Sequence, residues 1–233
     1  MKTFTLRAHL RSPLIRQGFM TLDALLMANL HRGDVSDLLR CEDGLYFASA
    51  ANLVGTTQTL RTAFVANMRA ETTPEWLEVI APNARSELVP LYDDGTGKLK
   101  KTNSVAIGAL KRKTAGNVLN AYGAISAAAV EWHAQGDAQA VLDAVSDIFF
   151  IGKKRTAGFG EISPKGWEIE EGDLNGVRGP YGGSPLRPVP VSRWKEMFPR
   201  DLQLDDHIVQ ETAWKGPYWD LVNRDVCFVP EAA

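Results

Sequence analysis

The sequence predicts an α+β fold for most of this 233-residue chain, and three patterns carry the prediction. Polar and apolar residues alternate over the first ten positions, as they do in a strand with one buried face. An apolar segment beginning at Leu22 has the length of a helix. A further segment, beginning at Val141, repeats its apolar residues at helical spacing. With 45% hydrophobic and 23% charged residues, the chain has enough apolar material for a substantial core.

The first strand and the first helix are predicted from residues 2 to 33. Residues Lys2 to Leu10 alternate, so that one face carries Phe4, Leu6, Ala8 and Leu10. Pro13 ends this strand. Thr21 is positioned to cap a helix over residues 22–31, and Gly33 closes that helix.

Two extended segments and an insertion follow the first helix. Residues 45–54 and 57–68 have the composition of strands, and we expect a hairpin or a sharp bend at Gly55. From residue 72 to about 117 no period holds, and prolines and glycines interrupt the chain. We interpret this insertion as an irregular loop or thumb.

The next part of the chain completes the order of strands and helices. Residues 118–132 favour a strand through their β-branched residues, although their alanine content also suits a helix. Asp137 is expected to cap a helix with an apolar stripe made of Val141, Leu142, Val145, Ile148 and Phe149. A last strand follows residue 159. The resulting order, β-α-β-β-α-β, is that of the split βαβ, ferredoxin-like (RRM-like) fold, which we place at residues 1–171.

Charge is distributed unevenly along the chain. The net charge is −2, which argues against a general binder of polyanions. Between Gly95 and Val118, however, the insertion holds no acid and six basic residues: Lys98, Lys100, Lys101, Lys111, Arg112 and Lys113. A phosphate-binding surface is therefore compatible with the balanced total.

Cysteine usage and hydropathy predict a cytoplasmic protein. Cys41 and Cys227 lie far apart and form no metal-binding or redox spacing, which favours a reducing compartment. No segment has the roughly 20 apolar residues of a membrane helix. We expect no cofactor, no metal and no membrane contact, and we interpret Asp205, Asp206 and His207 as part of a solvated segment.

A basic, glycine-rich loop follows the second predicted helix. It consists of Gly152, Lys153, Lys154, Arg155, Thr156, Ala157, Gly158, Phe159 and Gly160. Glycines let peptide N–H groups approach phosphate oxygens, and three consecutive cations add charge at the same place. A nucleotide P-loop or dinucleotide fingerprint would lie between a strand and a helix, whereas this loop lies between a helix and a strand. The alternative is a solvated helix end, where glycine and basic residues are also common.

Residues 172–233 are predicted to form an irregular extension that docks onto the domain. Their first part is rich in glycine and proline and has few helix signals. Aromatic residues follow: Trp194, Phe198, Trp214, Tyr218, Trp219 and Phe228. We interpret Trp214, Tyr218 and Trp219 as residues that dock the extension or contact a neighbouring subunit.

The order of elements and the loop resemble the repeat-associated (RAMP) superfamily of CRISPR effector proteins. Residues 151–161, with the sequence IGKKRTAGFGE, are similar to the glycine-rich loop of that superfamily. Further similarity lies at residues 22–26, 186–190 and 217–219. Together these segments resemble the Cas-five-like subunit of type IV CRISPR complexes.

This resemblance implies a non-catalytic, RNA-binding subunit that acts in interference against plasmids and viruses. It would cap the 5′ handle of the crRNA, beside the repeated backbone subunit and the large subunit, with target DNA near the guide as a further contact. The loop would bind the RNA backbone and the basic insertion would act as a thumb. His31 and Arg32 are further predicted RNA contacts, with a surface or capping histidine as the alternative. Tyr46, Phe47, Phe64 and Tyr122 would either stack on bases or pack in the core.

Two other functions are compatible with the sequence. The first is a metal-independent endoribonuclease of the same superfamily, in which one of the four histidines would act as general acid or base. Enzymes of that group usually carry the loop close to the C-terminus, whereas about 70 residues follow it here. The second is a small-molecule enzyme or regulatory module, because a ferredoxin-like fold alone implies no function.

Overall fold

The computed structural model describes residues 1–16, 18–30, 34–56, 58–69, 91–93, 99–101, 115–180, 183–201 and 206–231, with side chains in these ranges except from 64 to 120. The chain divides into two compact units. The first consists of Met1–Leu60 and Gly123–Ala233, and the second of Arg61–Tyr122.

Strands in chain order are β1 Lys2–Leu10, β2 Cys41–Glu42, β3 Leu45–Tyr46, β4 Asn52–Val54, β5 Gln58–Arg69, β6 Leu91–Asp93, β7 Leu99–Lys101, β8 Ala115–Ser126, β9 Ala129–Gly136, β10 Ile162–Glu171, β11 Val189–Pro190, β12 Ile208–Ala213 and β13 Arg224–Val229. Helices are α1 Leu22–Asn29, α2 Val35–Leu38, α3 Ala138–Val145 and α4 Val191–Met197.

A four-stranded sheet organises the first unit. Its strands lie in the order β10-β1-β9-β4. Every neighbouring pair in it is antiparallel. The alternation predicted for β1 is confirmed, since Phe4, Leu6 and Ala8 are buried. Successive side chains of a strand point to opposite faces, so the other face of the sheet carries the polar residues.

The core of the first unit lies between the apolar face of this sheet and the helices. Leu22 and Leu26 of α1 and Val141 and Val145 of α3 are buried in the same cluster as the apolar residues of β1. Each such side chain stabilises the fold by roughly 1.5–3 kcal/mol when it is fully buried. The mixed α+β fold predicted from the sequence is therefore confirmed. None of the described helices is long and apolar enough to cross a membrane.

Helix α1 begins where the sequence predicts and ends earlier. Thr21 precedes its first residue, but the Thr21 hydroxyl donates to the hydroxyl of Tyr218 at 3.0 Å and makes no capping bond. The helix ends at Asn29, because Leu30 has an extended backbone. The predicted end at residue 31 is therefore wrong.

Helix α3 begins after Asp137, as predicted. The Asp137 carboxylate accepts a hydrogen bond from the N–H of Ala140 at 3.1 Å. The helix ends at Val145, where the N–H and the hydroxyl of Ser146 both bond back to a carbonyl of the last turn. Phe149 consequently lies beyond the helix and is exposed, so its predicted place in the apolar stripe is wrong.

Two of the predicted strands are interrupted. Residues 45–54 form strands only at β3 and β4, and residues 118–132 are divided between β8 and β9. The break between β8 and β9 has a tertiary cause, because the N–H of Ala128 donates to the carbonyl oxygen of Val54, on a distant segment, at 2.9 Å. Gly55 has a φ of +65°, which confirms the bend expected there.

The second unit is built of strands over its described residues. β5 and β8 pair in a two-stranded sheet, and β6 and β7 pair in antiparallel register. The expectation of an irregular insertion at about 72–117 is therefore wrong for β6 and β7. β8 begins at Ala115, two residues inside the predicted end of the insertion.

The C-terminal extension contributes a second sheet and a second core cluster. Its strands lie in the order β11-β13-β12. Trp194 of α4 and Phe228 of β13 are buried in one cluster with Leu45 and Phe47. The extension thus packs onto the first unit's earlier residues. Before β11, its described residues 172–180 and 183–188 form turns and an isolated bridge between Arg178 and Pro185.

Candidate nucleic-acid interface

Two glycines fix the ends of the basic loop. Gly152 and Gly160 have φ values of +78° and +70°, a region that residues with a side chain rarely adopt. A Cβ at position 152 would lie 2.6 Å from the carbonyl oxygen of Ile15. A Cβ at position 160 would overlap the carbonyl oxygen of Ile151. Both positions therefore require glycine for their conformation and for close packing.

Backbone hydrogen bonds hold the base of the loop against the segment that follows β1. The N–H of Lys153 donates to the carbonyl oxygen of Ile15 at 2.8 Å, and that of Gly160 donates to Pro13 at 2.9 Å. The N–H of Ile151 donates to the carbonyl oxygen of Gly160 at 2.9 Å, which closes the loop on itself. The loop therefore starts and ends at fixed positions.

The tip of the loop is exposed and tightly turned. Lys154 has a φ of +59° and precedes a 3-10 turn, Arg155–Ala157. Residues 155–158 are exposed, and Gly158, with a φ of +84°, has open space around it. The N–H groups of Ala157, Gly158 and Phe159 donate to carbonyl oxygens within the loop. The sequence suggested that peptide N–H groups of the loop bind phosphate, but these three N–H groups are not available for that contact. The expected phosphate contact therefore depends on the cationic side chains.

A cleft of about 510 Å³ adjoins the loop. It is lined by the end of α1, the end of α3 and the segment leading into the loop: Asn29, Leu30, Ala144, Asp147, Ile148, Phe149, Phe150 and Arg155. The Phe149 residue is 67% exposed. Arg155 belongs to both the loop and the cleft, so a ligand that occupies the cleft also meets the loop.

The polar face of the main sheet is an ion-pair network. Arg7 of β1 forms a hydrogen bond with Glu131 of β9 at 2.6 Å and with Glu170 of β10 at 3.3 Å. Its guanidinium also lies 3.8 Å from Glu168. The hydrogen bond from Arg7 to Glu131 raises the pKa of Arg7, although burial opposes the shift. Three carboxylates thus surround one arginine, and this face does not attract phosphate.

Glu168 is the centre of a smaller cluster on the same face. Its carboxylate accepts hydrogen bonds from Lys165 at 2.8 Å and pairs with the His9 ring at 2.7 Å. The bonds from Lys165 and then from His9 lower the pKa of Glu168 to about 2. The carboxylate is therefore ionised at all but the most acidic pH values.

Two of the four aromatic residues considered for base stacking have buried side chains. Tyr46 and Phe47 are both buried in the core, which confirms the core-packing alternative for these two residues. Tyr122 is half-buried, and the side chain of Phe64 lies outside the described residues. Base stacking on the sheet is therefore wrong as a prediction for Tyr46 and Phe47.

Tyr218 attaches the C-terminal extension to α1. Its hydroxyl donates to the carboxylate of Asp23 and accepts a hydrogen bond from Arg187 at 2.8 Å. Burial raises the pKa of Tyr218. Of the two roles considered for this residue, the structure uses it to dock the extension. Trp219, which follows it, is 51% exposed, and Trp214 is half-buried beneath the ammonium group of Lys215 at 4.8 Å.

Sequence reasoning missed the charge pair beneath that contact. Arg187 and Asp23 are completely buried and lie 3.3 Å apart. The Arg187 guanidinium also donates to the carbonyl oxygens of Tyr46 and Ala48, the second at 3.1 Å. The segments 22–26, 186–190 and 217–219, singled out above by resemblance, therefore meet at one buried network.

Several predicted RNA contacts lie outside the described residues. These are His31, Arg32, Lys98, Lys111, Arg112 and Lys113. Lys100 and Lys101 belong to β7, but their side chains are not among those described. The predictions for all eight residues stay predictions.

The ring of each described histidine contacts another residue of this chain. His9 pairs with Glu168, and the Nδ1 of His133 lies 3.0 Å from the Thr5 hydroxyl. Burial lowers the pKa of His133. The side chain of His207 is 3% exposed, with its Nε2 3.0 Å from Asp201, so the solvated position predicted for this side chain is wrong. Among the described residues, no group of three or more His, Cys, Asp or Glu could hold a metal ion.

Comparison with protein-family models and with curated proteins finds no match for this chain. The fold and the site therefore define the class: a mixed α+β protein whose basic loop is closed by two obligatory glycines. Its function has to be inferred from the geometry of that loop, the cleft beside it and the charge of the surrounding surfaces.

Proposed function

We propose that this protein is a non-catalytic guide-RNA-binding subunit of a type IV CRISPR ribonucleoprotein. The basic loop carries the proposal, because its ends are fixed at Gly152 and Gly160 while Arg155 at its tip is exposed. Exposed cations on a rigid backbone contact phosphates without a large cost in conformational entropy. In this role the loop holds the 5′ handle of the crRNA.

The order of strands supports a ferredoxin-like domain. Counting β1, β4, β9 and β10 as its four strands, the observed order places the fourth beside the first, then the third and the second. Helix α1 lies between the first and second of these strands, and α3 between the third and fourth. The split βαβ fold connects its strands in this way. The loop follows the second helix, which is also its place in the RAMP superfamily.

The charge of the sheet supports binding at the loop rather than on the sheet. RRM-like domains usually bind RNA by stacking bases on aromatic residues of the open face. Here that face carries Arg7 with three glutamates, and Tyr46 and Phe47 are buried. RNA is therefore expected along the loop and its adjoining cleft.

An exposed apolar segment supports contacts with other subunits. Trp219, Leu221 and Val222 are 51%, 68% and 82% exposed. Large apolar side chains clustered in one short segment are typical of interaction sites. We propose that this segment contacts the repeated backbone subunit or the large subunit, whereas target DNA near the guide would be reached through the assembled complex.

Binding without cleavage fits the described histidines better than an endoribonuclease does. A general acid or base has to reach the 2′-hydroxyl or the leaving oxygen of the RNA. His9 is paired with Glu168, and the rings of His133 and His207 are bonded to Thr5 and Asp201. Incubation with labelled repeat RNA in the absence of metal checks this proposal, and specific cleavage lost on His9→Ala would favour the enzyme.

A charge-removal experiment tests the RNA-binding role of the loop. Lys153, Lys154 and Arg155 are replaced together by Ala, and binding to repeat RNA is measured over a range of salt concentrations. Each phosphate contact on a single strand contributes about 0.7 to the slope of log K against log [salt], so the slope should fall by about 2.

The matched control removes the same charge from positions outside the loop. Lys2, Lys195 and Arg224 are exposed and lie outside the loop, and their replacement by Ala should leave the slope nearly unchanged. Equal effects of the two triple variants would overturn the phosphate-binding role. Sequencing of RNA that copurifies from the native cells is the second readout, with repeat-derived 5′ ends as the expected result.

A further inference from the structure

We propose that the cleft beside the loop holds one unpaired base of the bound RNA, stacked on Phe149 and selected as guanine by Asp147. This inference rests on the proposed RNA-binding function and adds the base that the site recognises. It concerns Phe149, Asp147 and Asn29, which lie outside the basic loop.

Phe149 presents an exposed ring on a fixed backbone. Its carbonyl oxygen accepts a hydrogen bond from the N–H of Ile162 at 2.8 Å, and the next residue, Phe150, is bridged to Glu161. The flanking side chains of Ile148 and Ile151 are buried. Because a rigid segment holds this large apolar ring in solvent, the free energy falls when a flat apolar partner covers the ring. Stacking of RNA bases on exposed aromatic rings is such a case.

The cleft offers both polar and apolar groups to a base. Its volume of about 510 Å³ lies in the range of small-molecule sites. Asp147 contributes a carboxylate, which accepts hydrogen bonds only. Asn29 donates its amide N–H to the carbonyl oxygen of Leu25 at 2.7 Å, which leaves the amide oxygen as an acceptor. Arg155 contributes the cation.

The charges of the cleft decide which part of a nucleotide enters it. A carboxylate repels phosphate, so the position near Asp147 suits a base, while Arg155 and the loop suit the phosphate. Acceptor groups select bases that present N–H donors on their Watson–Crick edge. Guanine presents two adjacent donors, N1–H and N2–H₂, to a carboxylate, whereas uracil presents a single N–H between two carbonyl oxygens. Guanine is therefore the expected base.

The test uses single-stranded 12-nucleotide RNAs labelled at the 5′ end. One RNA contains only uridine, and three others contain a single central guanosine, adenosine or cytidine. A flexible uridine strand can shift its register, so a single guanosine is able to reach the cleft. The wild-type protein should bind the guanosine RNA at least about fivefold more tightly than the uridine RNA, since one well-made base contact contributes about that factor or more.

Three variants test the roles of the two cleft side chains. Phe149→Ala should weaken binding of all four RNAs, because stacking tolerates every base, and Phe149→Trp should retain binding. Asp147→Asn should abolish the guanosine preference while it slightly tightens binding of the uridine RNA, since a negative charge is removed. The matched controls are Val226→Ala, which truncates an exposed apolar residue of β13, and Glu196→Gln on α4.

The outcomes separate this inference from the function on which it rests. Salt-dependent binding of all four RNAs with equal affinity would overturn the guanine site and leave the loop's role intact. A guanosine preference that survives Asp147→Asn would also overturn it, as would a Phe149→Ala variant that binds all four RNAs as tightly as the wild-type protein. Failure of the wild-type protein to bind any of these RNAs or the repeat RNA would overturn the proposed function itself.

Discussion

The polar face of the sheet and the basic loop carry charge in opposite ways. On the sheet, Arg7 is enclosed by Glu131, Glu168 and Glu170 at 2.6 to 3.8 Å. In the loop, Arg155 is exposed at the tip of a turn that two glycines hold in place. The first arrangement uses charge to join three strands, and the second presents charge to solvent.

This difference would allow a chain of net charge −2 to act as the proposed RNA-binding subunit. Affinity for phosphate depends on cations that release bound counterions from the nucleic acid, not on the sum of charges. An arginine that is already paired with carboxylates contributes little to that release. The position of the acids on the sheet therefore matters as much as the position of the bases in the loop.

The largest expected effect concerns the base of the loop. Replacement of Gly160 by Ala combines an unfavourable backbone conformation with overlap of the new Cβ and the Ile151 carbonyl oxygen. We expect the free energy of unfolding to fall by about 3 kcal/mol, measured by urea denaturation. RNA binding should weaken as well, since the loop would leave its fixed position.

Gly158→Ala is the control for this prediction. Gly158 has a similar φ of +84° but open space around it. The Ala variant therefore suffers only from the unfavourable backbone conformation and not from steric overlap. We expect a loss of about 1 kcal/mol. Equal losses for the two variants would show that close packing at Gly160 does not fix the loop.

The second prediction compares the replacement of Arg7 on the sheet with the replacement of Arg155 in the loop. Arg7→Ala leaves three carboxylates facing one another and should lower the free energy of unfolding by about 1–2 kcal/mol without weakening RNA binding. Arg155→Ala should change stability by less than about 0.5 kcal/mol. It should nevertheless lower the salt slope of RNA binding by about 0.7. A common effect of both variants on RNA affinity would remove the distinction between the two surfaces.

The sequence was most informative where the determinants of structure are local. The alternation of β1 and the Asp137 cap each depend on a few neighbouring residues, and these predictions agree with the structure. The breaks within residues 45–54 and 118–132 depend on backbone bonds between distant segments, such as Ala128 to Val54. Such bonds leave no periodic signal in either segment.

The candidate site shows the same limit. The basic loop was identified from its composition, but the cleft was not, because helical spacing placed Phe149 in the core. The turn at Ser146 is the signal for the true helix end, and its hydroxyl bond to the last turn is typical of residues that compete with helix continuation. The Arg187–Asp23 pair joins residues far apart in the sequence, so only their resemblance to a family motif marked them.

The smallest expected effect concerns Glu168 and pH. Hydrogen bonds from Lys165 and His9 lower the pKa of Glu168 in the folded protein to about 2, below its ordinary value of 4.5. Ionised Glu168 therefore favours folding, so its contribution is fully present above pH 4.5 and is lost as the pH falls towards 2. Denaturation with urea between pH 2 and pH 6 should show a shallower loss of stability for Glu168→Gln than for the wild-type protein.

The matched control, Glu171→Gln, changes a more exposed glutamate at the end of the same strand and should keep the wild-type pH dependence. Identical curves for Glu168→Gln and the wild-type protein would mean that the pairs of Glu168 with Lys165 and His9 do not stabilise the fold.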